Sequence, residues 1–209
     1  MTATCGHSLG VARIGVLGGS FNPPHIAHLV CASEAAQQLD LERVLLTPVA
    51  TAPHKATECD PGPDERLALC RLAIGDDERL AVCDLEVKRG GSSYTVDTLR
   101  ALHARTPEDE LTFIVGADIA LGLLSWHEPE AVLRLATLAV AERTGAECRD
   151  VAARLAESFP AAQSPRFFDM PRLDVSSSQI RRRIAEGRSI RYLVPDPVAE
   201  RIARGKLYR

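Results

Sequence analysis

The chain has 209 residues, a length that suits one α/β domain or one domain with a small appendage. Its residues are 45% hydrophobic but only 4% aromatic, so a globular class follows, with a core built from Leu, Val, Ala and Ile. The formal net charge of −3 argues against a nucleic-acid binder driven by general electrostatics.

The opening residues, 1–12, read as an N-terminal extension. "MTATCGHSLGVAR" has no basic stretch followed by a long apolar one, and no window approaches a membrane-spanning length, so a soluble, unexported, cytoplasmic protein without a membrane partner is expected. Short apolar runs then alternate with helical patterns. Strands are predicted over 13–18, 43–49, 79–86, 111–116 and 136–142, several of them continuously apolar, as strands covered on both faces should be. Helices are predicted over 26–39, 63–74, 95–105 and 146–159. Alternation of this kind implies an α/β fold with a parallel, doubly wound sheet, which binds ligands outside the carboxyl ends of its strands. The segment 51–63, rich in Pro, Thr and charge, reads as a flexible loop. Cysteines at 5, 31, 59, 70, 83 and 148 show no C-x-x-C pair, so free thiols in a reducing compartment are expected.

Two segments carry chemistry. In "IGVLGGSFNPPHIAH" (14–28), Gly18 and Gly19 allow a sharp turn and close approach of a ligand, and the prolines place a helix start near His25. Free N–H groups at that start would form an anion site. His25 and His28, three positions apart, share a face of the first turn, where imidazoles can donate hydrogen bonds or carry charge toward phosphate oxygens. The same letters also suit one capping and one packed histidine, or a metal pair, although no third ligand stands out. Neither G-x-G-x-x-G nor a P-loop G-K-[ST] is present. In "DVSSSQIRRRIAEG" (174–187), Ser176 followed by Gln179 forms a capping box, with Ser177, Ser178 and Arg181 offered to a polyphosphate. An ordinary capped surface helix with a basic face reads the same way. Residues 181–209 hold nine Lys or Arg against three acids. A solvated helical surface beside a phosphate site accounts for them more simply than an RNA-binding tail, and no nucleic-acid partner is expected.

Together, "GGSFNPPHIAH" and "VSSSQIRRRI" resemble the two signatures of the nucleotidyltransferase superfamily, H-x-G-H and I-S-S-T-x-I-R. The intervening segments resemble bacterial nicotinate-nucleotide adenylyltransferases: "TAPHK" (51–55), "SSYTVDTL" (92–99), "FIVGADIALGLLSWHEPEAVL" (113–133), "AERTG" (141–145) and "IRYLVPDPVAERI" (190–202). The chain departs from the family at Ala27, where Gly is usual, at Ser178 for Thr, at Thr144 for Pro and at Asn22 for Asp. A methyl at Ala27 crowds anything packed closely on that helix turn, which bears on the adenine-side fit more than on the chemistry.

The resemblance implies a Rossmann-like sheet in one domain, 13–209, whose residues 174–209 form a small helical C-terminal part. It implies adenylyl transfer from ATP to nicotinate mononucleotide, with magnesium carried by the nucleotide and no protein metal ligand. His25, His28 and Arg181 would serve the reaction. Gly18, Gly19, Ser20, Phe21, Ser177 and Ser178 would hold ATP, and Lys55 the mononucleotide phosphate. Tyr94 and Thr95 would receive the nicotinate carboxylate, Gly116 and Asp118 the ribose, and Trp126 the pyridine ring. Alternatives are a nicotinamide mononucleotide or phosphopantetheine adenylyltransferase, a cytidylyltransferase, and a non-catalytic nucleotide sensor. A homo-oligomer is left open.

Overall fold

A computed structural model describes residues 11–51, 59–142 and 145–209, with side chains except at 145–148. The segment 1–10, most of the 51–63 loop including Lys55, and Thr144 lie outside the described residues. Among the described residues there are six parallel strands: β1 (Arg13–Gly19), β2 (Arg43–Pro48), β3 (Leu80–Val82), β4 (Glu110–Gly116), β5 (Thr137–Glu142) and β6 (Arg166–Asp169). Around them run α1 (Ile26–Gln38), α2 (Pro63–Ile74), α3 (Leu85–Arg89), α4 (Thr95–Arg105), α5 (Ala117–Leu121), α6 (Pro129–Leu135), α7 (Gly145–Ser158), α8 (Ser177–Ala185) and α9 (Asp196–Gly205).

The strand order is β3-β2-β1-β4-β5-β6, so the chain builds outward from β1 to β3 and then crosses to build outward from β4. The order therefore reverses between β1 and β4, which pair from Arg13↔Glu110 to Leu17↔Ile114. Ligand clefts open at such a switch point, because the connections leave in opposite directions and no helix covers the gap.

One face of the sheet packs on α4, α5, α6 and α7 through residues such as Val96, Leu99, Val132 and Leu155. The other face receives α1 through Ala27, Cys31, Ala32, Ala35 and Ala36, small side chains that let the helix sit close. A third cluster joins α2, α8 and α9 through Leu69, Ala73, Ile180, Val198 and Ile202. Among the described residues no helix is long and apolar enough to cross a membrane. Cys31, Cys59, Cys70 and Cys83 are in no disulfide among the described residues.

The structure departs from the predicted elements in three places. β3 ends at Val82 rather than residue 86, because the chain turns into α3, which starts after Asp84 and stops at Gly90 with φ 68°. β6 was not predicted. Its four residues give little periodicity, and part of its pairing capacity is met by Gln38 of α1, whose amide donates to Asp169 O at 2.8 Å and accepts from Asp169 N at 2.9 Å. The short helices α3, α5 and α6 were also missed, since five to seven residues hold too few turns for a 3.6-residue pattern.

Gly15 shows how tightly the centre is packed. A β-carbon there would lie 2.8 Å from Leu41 Cδ1, 2.9 Å from Ile114 Cδ1 and 3.0 Å from Val44 Cγ2. Gly15→Ala is expected to lower the free energy of unfolding by about 1–3 kcal/mol, seen as a lower denaturant midpoint. An unchanged midpoint would show that those three side chains move aside freely.

Candidate active site

At the switch point lies a cleft of about 650 Å³. The carboxyl ends of β1 and β4 form its floor, contributing Val16–Gly19 and Phe113–Gly116. Of the predicted site residues, Gly18, Gly19, Ser20, His25, His28, Thr95, Gly116, Asp118, Trp126, Ser177, Ser178 and Arg181 line this one space. Residues 14 to 28 and 174 to 187, distant in sequence, thus meet across a single cavity.

The meeting is held by hydrogen bonds. Ser177 Oγ donates to Pro23 O at 2.8 Å, and Arg181 Nη1 donates to Asn22 O at 2.7 Å. Nη2 of the same guanidinium reaches Ser178 Oγ at 3.2 Å. Ser176 caps α8 by accepting from Gln179 N at 3.2 Å, as its sequence position predicts.

On the opposite side, His25 is the N-cap of α1. Its backbone N–H donates to His28 Nδ1 at 3.2 Å, and the two rings stack with centroids 3.7 Å apart. With Nδ1 accepting, a neutral His28 carries its proton on Nε2. Burial, and then the adjacent His25, lower the pKa of His28 from 6.5 to about 3. His28 is therefore a neutral donor at physiological pH, where the sequence had left open a positive charge.

The helix start also contributes less backbone than expected. Ile26 N donates to Leu193 O at 3.0 Å and His28 N to His25 O at 3.0 Å, so these two amides already have partners. The partner of Ile26 comes from the segment before α9, which local sequence reasoning cannot see.

Phe21 was predicted to touch a nucleotide, but its side chain is 1% exposed and lies outside the cleft lining. It packs edge-on to His28, with centroids 4.9 Å apart, and so supports the ring from below. Tyr94 likewise does not line the cleft. It is the N-cap of α4 and packs on His127. Trp126 does line it, half-buried and edge-on to Phe113 at 5.7 Å. Asp118 stands exposed in the first turn of α5, and its Oδ1 lies 2.8 Å from where a β-carbon on Gly116 would be, so the glycine makes room for the carboxylate.

Sequence reasoning missed two residues. Arg66 on α2 is 1% exposed and donates through Nη1 to Ser20 O and through Nη2 to Ala50 O, both at 2.9 Å, while Nε pairs with Asp60 at 3.0 Å. The signal was present: position 66 continues the apolar stripe of Leu69, Cys70 and Ala73, where an arginine needs buried partners. Glu86 on α3 is buried in the cleft wall, at a position read as the end of a strand.

Residues 16–183 match the cytidylyltransferase-like family. The chain is 42% identical to a "Probable nicotinate-nucleotide adenylyltransferase" of Geobacter metallireducens, with 94% of this chain and 98% of the relative covered. It is 39% identical to the protein of the same description in Desulfitobacterium hafniense, covering 94% and 96%. Among solved structures it resembles a Plasmodium falciparum nicotinic acid mononucleotide adenylyltransferase complexed with NaAD, with a TM-score of 0.75, 16% identity and coverage of 94% and 97%. At that identity the likeness bears on the fold alone.

The lowered pKa of His28 has a sign that can be checked. From 6.5 down to about 3 the unfolded imidazole takes up a proton that the folded one refuses, so stability falls as pH falls through that window. The melting temperature of His28→Gln should fall less than that of the wild type between about pH 7 and about pH 5. Parallel curves would place the unfavourable protonation elsewhere.

Proposed function

Because the chain belongs to the nicotinate-nucleotide adenylyltransferases, within the cytidylyltransferase-like family, we propose that it transfers the adenylyl group of ATP to nicotinate mononucleotide, releasing pyrophosphate and serving NAD biosynthesis in the cytoplasm. The working unit is residues 13–209, with 174–209 as its helical C-terminal part. The observation that carries the reading is that the histidine turn and the Ser177–Arg181 turn are hydrogen-bonded to each other and face one cleft with Trp126.

A 5′-phosphate oxygen of the mononucleotide attacks the α-phosphorus, a new P–O bond forms, and the bond to the β-phosphate breaks as pyrophosphate leaves. The attacking oxygen is already anionic at neutral pH, so no general base is needed. The protein has to align two anions and offset the charge that gathers on the phosphates. His28 Nε2–H serves the α-phosphate as a neutral donor, with His25 beside it. Ser177, Ser178 and Arg181 hold the β- and γ-phosphates. Gly18, Gly19 and Ser20 let the nucleotide lie close to the main chain. Trp126 stacks on the pyridine ring, the first turn of α4 at Tyr94 and Thr95 receives the ring carboxylate, Asp118 accepts from ribose hydroxyls, and Lys55 meets the mononucleotide phosphate.

Magnesium fits as an ion that the nucleotide brings, offsetting charge on the triphosphate. Among the described residues no three His, Cys, Asp or Glu side chains converge to hold it, and oxygen-rich phosphates are its usual ligands.

Pyrophosphate release should be measured with ATP, magnesium and, separately, nicotinate mononucleotide, nicotinamide mononucleotide and phosphopantetheine. Release far faster with the first is the expected result. Release with only another acceptor would overturn the substrate, and none with any would favour a nucleotide sensor. His28→Ala should cut kcat by about 100-fold or more while the protein stays folded, as loss of a phosphate donor does elsewhere. Undiminished turnover would remove His28 from the mechanism.

A further inference from the structure

Glu86 lies in the cleft wall with Ser93, Thr95, Thr98 and Trp126, and is 5% exposed. Its Oε1 accepts from Thr98 Oγ1 at 2.7 Å, and Thr98 is itself buried, one turn into α4. Ser93, beside it in the cleft wall, accepts from Ala50 N at 2.9 Å and donates its own N–H to Thr51 O at 3.0 Å. The carboxyl thus holds the start of α4, which Ser93 in turn links to the chain leaving β2. Its other oxygen, Oε2, is buried without a hydrogen-bond partner. An ionised carboxylate with one oxygen sealed and unpaired is unfavourable, whereas a neutral carboxyl tolerates the same place better.

We propose that Glu86 is a positioning and specificity-determining residue of the acceptor end: it sets the first turn of α4 through Thr98, and the charge on its carboxyl governs how well that turn receives an anionic ring substituent. This rests on the reading of the cleft as the pyridine mononucleotide site. Burial raises the pKa of Glu86, which keeps it neutral to higher pH than an exposed glutamate. The ionisable groups around it are Arg89 on α3, which opposes that shift, Asp97 on α4, which adds to it, and the buried thiol of Cys83 after β3. When Glu86 ionises, its charge repels a ring carboxylate held by the same turn. A ring amide, being neutral, is indifferent.

The test compares kcat/KM for nicotinate and nicotinamide mononucleotides from about pH 5 to about pH 9, a span that covers a raised carboxyl pKa. Titration of the 5′-phosphate affects both acceptors and cancels in their ratio. In the wild type the ratio of acid to amide should fall as pH rises, and in Glu86→Gln it should stay flat, with KM for ATP unchanged. A flat ratio in the wild type, or the same slope in Glu86→Gln, overturns the proposal. Thr98→Val should raise KM for both acceptors but not for ATP, and an unchanged acceptor KM removes the positioning role.

Calorimetric binding of nicotinate mononucleotide, with a methylene-bridged ATP analogue present, separates this proposal from the reaction itself. Affinity that weakens with pH in the wild type but not in Glu86→Gln supports the role of Glu86 even if no pyrophosphate is released. No binding at any pH overturns both readings.

Discussion

Three carbonyl groups in one tight turn need donors, and the site depends on where those donors come from. Between β1 and α1, Ser20 O is held by Arg66 of α2, Asn22 O by Arg181 of α8 and Pro23 O by Ser177 of α8. A turn at the end of a buried strand cannot leave its carbonyls unpaired without a penalty of about 1–3 kcal/mol each. Satisfying them from α2 and α8 draws both helices onto the turn. That sets the distance between the histidines on one wall and the serines and Arg181 on the other. Arg66 extends the arrangement, since its second Nη group holds Ala50 O where the chain leaves β2. A lysine there would keep the charge but could not reach two carbonyls and a carboxylate in the same fixed fork.

The two walls balance charge in opposite ways. The α8 side offers a guanidinium that is always charged. The α1 side offers His28, which burial and the adjacent His25 keep neutral, stacked on the His25 ring. A neutral His28 can lie 3.7 Å from its neighbour's ring where two cations would repel. The small residues of α1 make this possible, because a helix seated close to the sheet by Ala27, Ala32, Ala35 and Ala36 carries its first turn to the edge of β1 and β4.

Much of this was legible in the letters. The boundaries of α2 and α4, the cap at Ser176 and the all-parallel sheet follow from local pattern, turn residues and alternation of elements. The candidate residues gathered into one cleft because two ordered motifs and the switch-point rule pointed to the same end of the sheet. What escaped was non-local. Arg66 stands on the apolar stripe of α2, but which buried carbonyls it serves shows only with Ser20 and Ala50 beside it, and Glu86 looks like a strand end until Thr98 meets it. The claim of Leu193 on the amide of Ile26 spans most of the chain and leaves no trace in either segment. Phe21 lies inside a signature motif, yet its ring is buried against His28 and outside the cleft lining, a placement that motif membership alone does not reveal.

The separation between partners sets an order of events during synthesis. Asn22 and Pro23 wait for donors 159 and 154 residues further along, while β1, β2 and β3 can pair once the first 82 residues have emerged. A chain made from its N-terminus on a ribosome can thus pair its first three strands well before α8 emerges. The wall carrying Ser177, Ser178 and Arg181 is the last part of the cleft to be made, and a nascent chain that stops short of α8 presents the histidines without the donors that hold Asn22 O and Pro23 O.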